Sequence, residues 1–450
     1  MRRPSARSAV RLAPSSISNA DQPARLPVLI SDLWRLTSLL AFFLAGCVTR
    51  LPPPPVVHTG DPVVDDRAEL AAALPRDRVL WEYRLAAVML RHGEADEARA
   101  RLDDALAQVG GTLATAGSAE AAKARGMFSR ESEKPFVGEP YERIMAGFYR
   151  GILYWRDGEP DNARALFRSG ELTDSDTVEK KYSGDWVLLD YLDGLATAKL
   201  HGDGTDALAR ARKNSAHALP DYDLQANVLL FVEFGRGPQK YAGGQYGEQL
   251  HFRTAPSQAV SARLEVAGRT VGLDPWDDLN YQATTRGGRV MDHILNNKAV
   301  FKQEANTVSN VALTAAAVAA ENARRETSRV VTDPDGRQHV VTETKTSEGA
   351  ENTALALSAF SLVAKLASAA TQPVADTRTW DNLPQYLSFA ALRLPPGEYP
   401  ATLTFYDAAR HPLPSRTQTF TISVPAAPAM LTVAAPAPRD TVVFRSEVPN

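Results

Sequence analysis

Cysteine is nearly missing from this chain: 450 residues contain one, Cys47. A single thiol excludes internal disulfides and every cysteine-based zinc cluster. Catalytic signatures are missing too. The histidines, at 58, 92, 201, 217, 251, 293, 339 and 411, form no HExxH or His-x-His pair. No GxSxG elbow and no GxxxxGK[ST] loop occurs. GRGPQKYAGG is glycine-rich but opens no helix, so it does not read as a phosphate cradle. GDGTD and DPDG are short acidic turns without the terminal Glu of a calcium loop. Positive charge is not in excess, since the formal net charge is −3. Residues 1–46 hold six Arg and two Asp, which leaves 44 basic and 51 acidic residues for the rest. An acidic body argues against nucleic acid as a partner. No catalytic residue, metal or cofactor is expected, and the protein is read as a non-enzyme.

What is there begins with the surroundings of the thiol. The apolar run LTSLLAFFL follows Arg35 and is too short for a bilayer, which needs ~20 apolar residues. A basic residue, a short apolar stretch and small residues before a cut site describe a secretory signal. The ending Leu44-Ala45-Gly46-Cys47 resembles the bacterial lipobox. That resemblance implies cleavage between Gly46 and Cys47, a diacylglyceryl thioether on the sulfur and acylation of the new amino group. Three acyl chains exceed the two signals that stable anchoring takes. Val48 rather than Asp follows, which resembles sorting to the outer membrane. The expected signal is 1–46, with translation starting near Leu26 or Val28, because signals run ~15–30 residues. Residues 47–66 are expected to be a linker. Its LPPPPVV favours an extended polyproline II strut.

From 67 to 225 the composition turns to Ala, Leu, Arg and Glu with helical periodicity. Three stretches share one pattern: Trp81 to Leu106, Tyr141 to Leu172, and Asp185 to Arg212. Each has an apolar helix and a turn at Gly93, Gly158 or Gly202. An Ala follows five residues later, at Ala98, Ala163 or Ala207, and then Leu102, Phe167 or Ala211. Ile144, Phe148, Ile152 and Trp155 share one face of the middle unit. The pattern resembles the tetratricopeptide repeat, with Ala where two helices touch. The glycines are 65 and 44 residues apart rather than a uniform ~34, so insertions separate the units. Such arrays bind peptides or proteins in a concave groove.

From 226 to 425 a β-rich region is expected. NVLLFVEF, from Asn227, reads as a buried strand followed by a glycine-rich hairpin. ARLEVAGRTVGL reads as a strand pair, and RVVTDPDGRQHVVTET as a hairpin. Residues 277–302 read as a helix, and two Ala-rich helices are expected within 306–324 and over 353–370. SFAALRL, ATLTFYD and TQTFTISV alternate with period two, the pattern of a small β-sandwich. The Pro/Ala-rich residues 426–450 are expected to be a disordered tail. Asp376, Arg378, Trp380 and Asp381 form the best polar constellation. They are candidates for binding a ligand or glycan, or for capping the segment that enters the sandwich.

Three stretches, EKPFVGEPYERIMAGFYRGILYWRDGEPDNARALF, NVLLFVEFGRGPQK and ADTRTWDNLPQYLSFAALRLPPGEY, resemble a family of bacterial lipoproteins. In that family tetratricopeptide-like helices precede a β-rich C-terminal region. The resemblance implies this domain order and an envelope location, and implies no catalytic residues. The expected fold is α+β and multidomain. The expected protein is a lipid-anchored scaffold of the bacterial outer membrane, with a protein partner in the envelope. The alternative is a peptidoglycan- or carbohydrate-binding, or cell-wall-acting, envelope protein using the C-terminal module.

Overall fold

The helical half starts earlier than composition implies. Asp61 accepts the Val63 and Val64 N–H groups at 2.9 and 3.3 Å, and Pro62 supplies a preset φ, so α1 (Pro62–Ala72) begins inside the expected linker. The computed structural model describes residues 56–116, 131–174, 184–245, 247–285, 324–332, 338–346, 374–426 and 439–448. Gly46, Cys47 and the expected signal lie outside them, as do most of 277–302 and the Ala-rich stretches.

Three helical hairpins follow: α2 (Arg78–His92) with α3 (Ala95–Ala116), α4 (Pro140–Arg156) with α5 (Pro160–Asp174), and α6 (Val187–Lys199) with α7 (Thr205–Asn214). Gly93 and Gly158 both close their first helix at φ +81°. The next N–H returns to the helix in each, Glu94 to Met89 O at 2.8 Å and Glu159 to Tyr154 O at 2.9 Å. The third turn differs from expectation. His201, at φ +65°, is the left-handed residue, and Gly202 instead lies where a Cβ would come 2.8 Å from the Thr197 side chain. Ala98, Ala163 and Ala207 are all buried between helices, and Phe167 is sealed against Phe148 and Trp155.

The β region forms two four-stranded sheets. In the first, β1 (Val228–Phe234) lies between β9 (Tyr386–Leu392), antiparallel, and β12 (Thr441–Ser446), parallel; β6 (Asp277–Asp278) borders β9. The second runs β11 (Gln418–Val424), β10 (Gly397–Tyr406), β4 (Ser261–Val266), β5 (Arg269–Leu273), all antiparallel. Two hairpins stand apart from these sheets, β2 (Gln239–Gly243) with β3 (Gln249–Arg253), and β7 (Arg324–Thr332) with β8 (Gln338–Thr346). A short helix, α8 (Leu279–Thr284), follows β6, so the expected helix begins two residues late, after a strand.

All seven residues of β1 are buried, because both faces are covered. Val228, Leu230, Val232 and Phe234 point into the sandwich, with Leu264, Leu403 and Phe405. Leu229 and Phe231 point the other way, into one core shared with α2, α4 and α6. Phe148 meets Phe231 at 6.0 Å, Tyr149 meets Phe444 at 6.0 Å and Tyr191 meets Phe389 at 5.9 Å. The layers are therefore helices, first sheet, second sheet. Two corrections follow. The expected domains 67–225 and 226–425 share a core, and Val56–Asn450 is one compact unit. The expected tail contributes β12, whose β-branched TVVF run covers the free edge of β1.

Candidate functional site

The sequence-predicted constellation sits where the segment before β9 crosses the helices. Arg378 donates to Asp376 at 2.6 and 2.9 Å, to Asp77 at 2.8 Å, and to the carbonyls of Arg76 and Lys134 at 3.0 and 2.9 Å. Trp380 is fully buried, stacked on Tyr83 at 4.6 Å, with its indole N–H on Asn382 Oδ1 at 2.6 Å. Asp381 pairs with Arg84. Arg378 and Trp380 are turned into the protein and clamp the crossing segment to α2, while Asp381 remains partly exposed at a second cleft.

Behind the clamp lies a buried ion pair. Lys240, on β2, donates to Glu142 on α4 at 2.5 Å, and both side chains are at most 2% exposed. Glu142 also accepts the Trp380 N–H at 2.9 Å and the Glu139 N–H at 2.6 Å. Burial pushes its carboxyl above the usual range, against the pull of Lys240.

A second network lies at the seam between helices and first sheet. Glu233, on the helix-facing side of β1, is fully buried. Its carboxylate accepts Arg91 Nε–H at 2.6 Å, Ser446 Oγ–H at 2.7 Å and Tyr149 O–H at 2.6 Å. Burial is the largest influence on Arg91 and opposes its charge, but Glu233 and Tyr149 together raise the guanidinium above its ordinary value. The Tyr149 hydroxyl is driven well above its ordinary value, by burial first and by Glu233 second. Sequence reading passed over these residues, yet one signal was present. A carboxylate inside NVLLFVEF cannot be buried on both faces without a cation beside it.

The network opens onto a cleft of about 460 Å³ lined by Arg91, Gln418, Thr419, Phe420, Arg445, Ser446 and Val448. The Ser446 hydroxyl is engaged on both sides, donating to Glu233 and accepting the Val448 N–H at 3.1 Å. A third buried carboxylate, Asp277, receives the Val187 and Leu188 N–H groups at 2.9 and 2.8 Å, at the start of α6. Among the described residues no group of three or more His, Cys, Asp or Glu could hold a metal ion. Among them, too, no helix is long and apolar enough to cross a membrane.

No family model, no curated protein and no solved structure matches the chain.

Proposed function

We propose that the protein is a lipid-anchored component of the bacterial cell envelope, attached to the outer membrane through Cys47 and acting as a non-enzymatic scaffold for a protein partner. The observation that carries this reading is the chain's sole thiol, placed at the end of Leu44-Ala45-Gly46-Cys47 after an apolar run. The described residues begin at Val56, nine positions after Cys47, and the sequence between them contains LPPPP. The resemblance of three stretches to bacterial lipoproteins supports the same location.

The helical hairpins are read as degenerate tetratricopeptide units, with Ala98, Ala163 and Ala207 at the crossings. In such an array the first helix of each pair lines the groove that takes a peptide. Here those helices, α2, α4 and α6, press against the chain's own first sheet. A partner therefore meets the outer helices α3, α5 and α7 or the far face of the second sheet. The non-enzymatic reading is supported by the engagement of the buried polar groups. Ser446 donates to Glu233 with no imidazole between them, and that carboxylate is already paired with Arg91.

The test is capture in intact cells by cross-linking to the anchored protein. The same envelope protein should be recovered repeatedly and lost on substitution of exposed residues of α3, α5 or α7, or of the second sheet's far face. Recovery of none, or hydrolysis of peptidoglycan by the purified chain, contradicts the proposal.

A further inference from the structure

Arg91 is 2% exposed, and a guanidinium so deeply buried needs partners for all five of its N–H groups. Nε serves Glu233 and Nη2 serves the Asn382 carbonyl at 2.7 Å, whereas Nη1 has no hydrogen-bond partner. Arg91 lines the cleft that opens beside it, and its unpartnered donor is a buried group lacking an acceptor.

A second guanidinium lines the same cleft. Arg445, on β12, lies 4.1 Å over the Phe420 ring and donates Nη1–H to the Phe444 carbonyl at 2.9 Å. The carboxylates near it are already matched: Glu233 pairs with Arg91, and Glu447 pairs with Arg416. Among the described residues Arg445 has no ion-pair partner, and burial lowers its pKa from the ordinary value. Among the described residues, then, the cleft lining includes a guanidinium without an ion-pair partner, a second whose Nη1 has no acceptor, exposed Thr419 and the aromatic Phe420.

The geometry points to this cleft, where α2, β11 and β12 meet, as a binding site for a small oxyanion, a carboxylate or a phosphate group held between Arg91 and Arg445. An oxyanion gives both forks charge-assisted acceptors and supplies the missing partner of Arg91 Nη1. A volume of about 460 Å³ accommodates the anionic group with a small attached body along Phe420. The inference is independent of membrane attachment, since it concerns the folded unit alone.

Ligand-observed NMR titration of the full chain in detergent tests it, with inorganic phosphate and N-acetylalanine as separate probes. Saturable binding of one or both, with Kd on the order of 1 mM or tighter, is expected, and the probe that saturates identifies the group. N-acetylalanine amide, which lacks the charge, should not bind. Arg445→Gln should weaken binding by a factor of about 10 or more. Thr419→Glu, which places a carboxylate at the exposed rim, should weaken it likewise. Failure of both anions to saturate, equal binding of the amide, or unchanged affinity in both variants overturns the proposal.

Discussion

Glu233 is the residue on which helices and sheet depend together. Its partners come from α2, α4 and β12, so one carboxylate joins elements far apart in the chain. Removing one half of a buried ion pair leaves the other charge uncompensated and costs about 3–5 kcal/mol, while replacing both by apolar groups costs far less. Arg91→Met should therefore destabilise the protein by that order, and adding Glu233→Leu should recover part of the loss. Denaturant unfolding of the two single variants and the double variant measures the coupling, and additive effects would contradict the network. Asp277 adds a pH dependence. Burial, and then the neighbouring Asp185 and Asp174, push its carboxyl from 3.8 up to about 7, despite two backbone N–H donors. The folded state then holds this proton more tightly than the unfolded chain. The stabilisation is complete below about pH 4 and is lost, at about 1.4 kcal/mol per unit, as pH rises to about 7. Asp277→Asn should flatten that slope relative to the parent in stability measurements between these values; an identical slope would remove the assignment.

At the scale of elements, sequence pattern was legible where it was local. The run VLLFVEF became β1, ARLEVAGRTVGL became β4 and β5, and RVVTDPDGRQHVVTET became the β7–β8 hairpin. Gly93 and Gly158 marked real helix ends through their left-handed backbone. Gly202 misled, because His201 took the left-handed position. The strand β12 was hidden: its six residues follow a Pro/Ala-rich stretch, and its partner β1 lies some two hundred residues upstream. Parallel pairing at that separation leaves no local turn to read. In the Asp376–Asp381 cluster, Arg378 turns to Asp77 and to two carbonyls that no spacing rule connects to it. Two outcomes follow at this scale. Gly93→Ala should cost about 1 kcal/mol, all from backbone conformation, since nothing lies within 4 Å of the added methyl. Ending the chain at 438 should cost several kcal/mol, because it uncovers β1 and removes Asp440 from Trp155 and Lys199, each at 2.9 Å. Thermal unfolding of the shortened protein checks this, and an unchanged Tm would contradict the place of β12 in the sheet.

For the molecule as a whole, the shared core makes helices and sheets a single cooperative body. Far-ultraviolet and aromatic signals should melt in one coincident transition, whereas two separated transitions would restore the independent domains read from composition. That coupling also bears on the proposed scaffold role. A groove-binding repeat protein keeps its inner helix face open, whereas α2, α4 and α6 press against the first sheet here, so the proposed partner would meet the outer surfaces. Composition could not reveal this, because Leu229 and Phe231 read as ordinary strand core whether they face another sheet or a row of helices. The proposed scaffold role depends on the folded body working from a membrane surface. Metabolic labelling with radioactive palmitate tests that directly: the parent chain should carry the label, and Cys47→Ser should carry none. Label that survives the substitution, or a parent chain that takes up none, would contradict the lipid anchor.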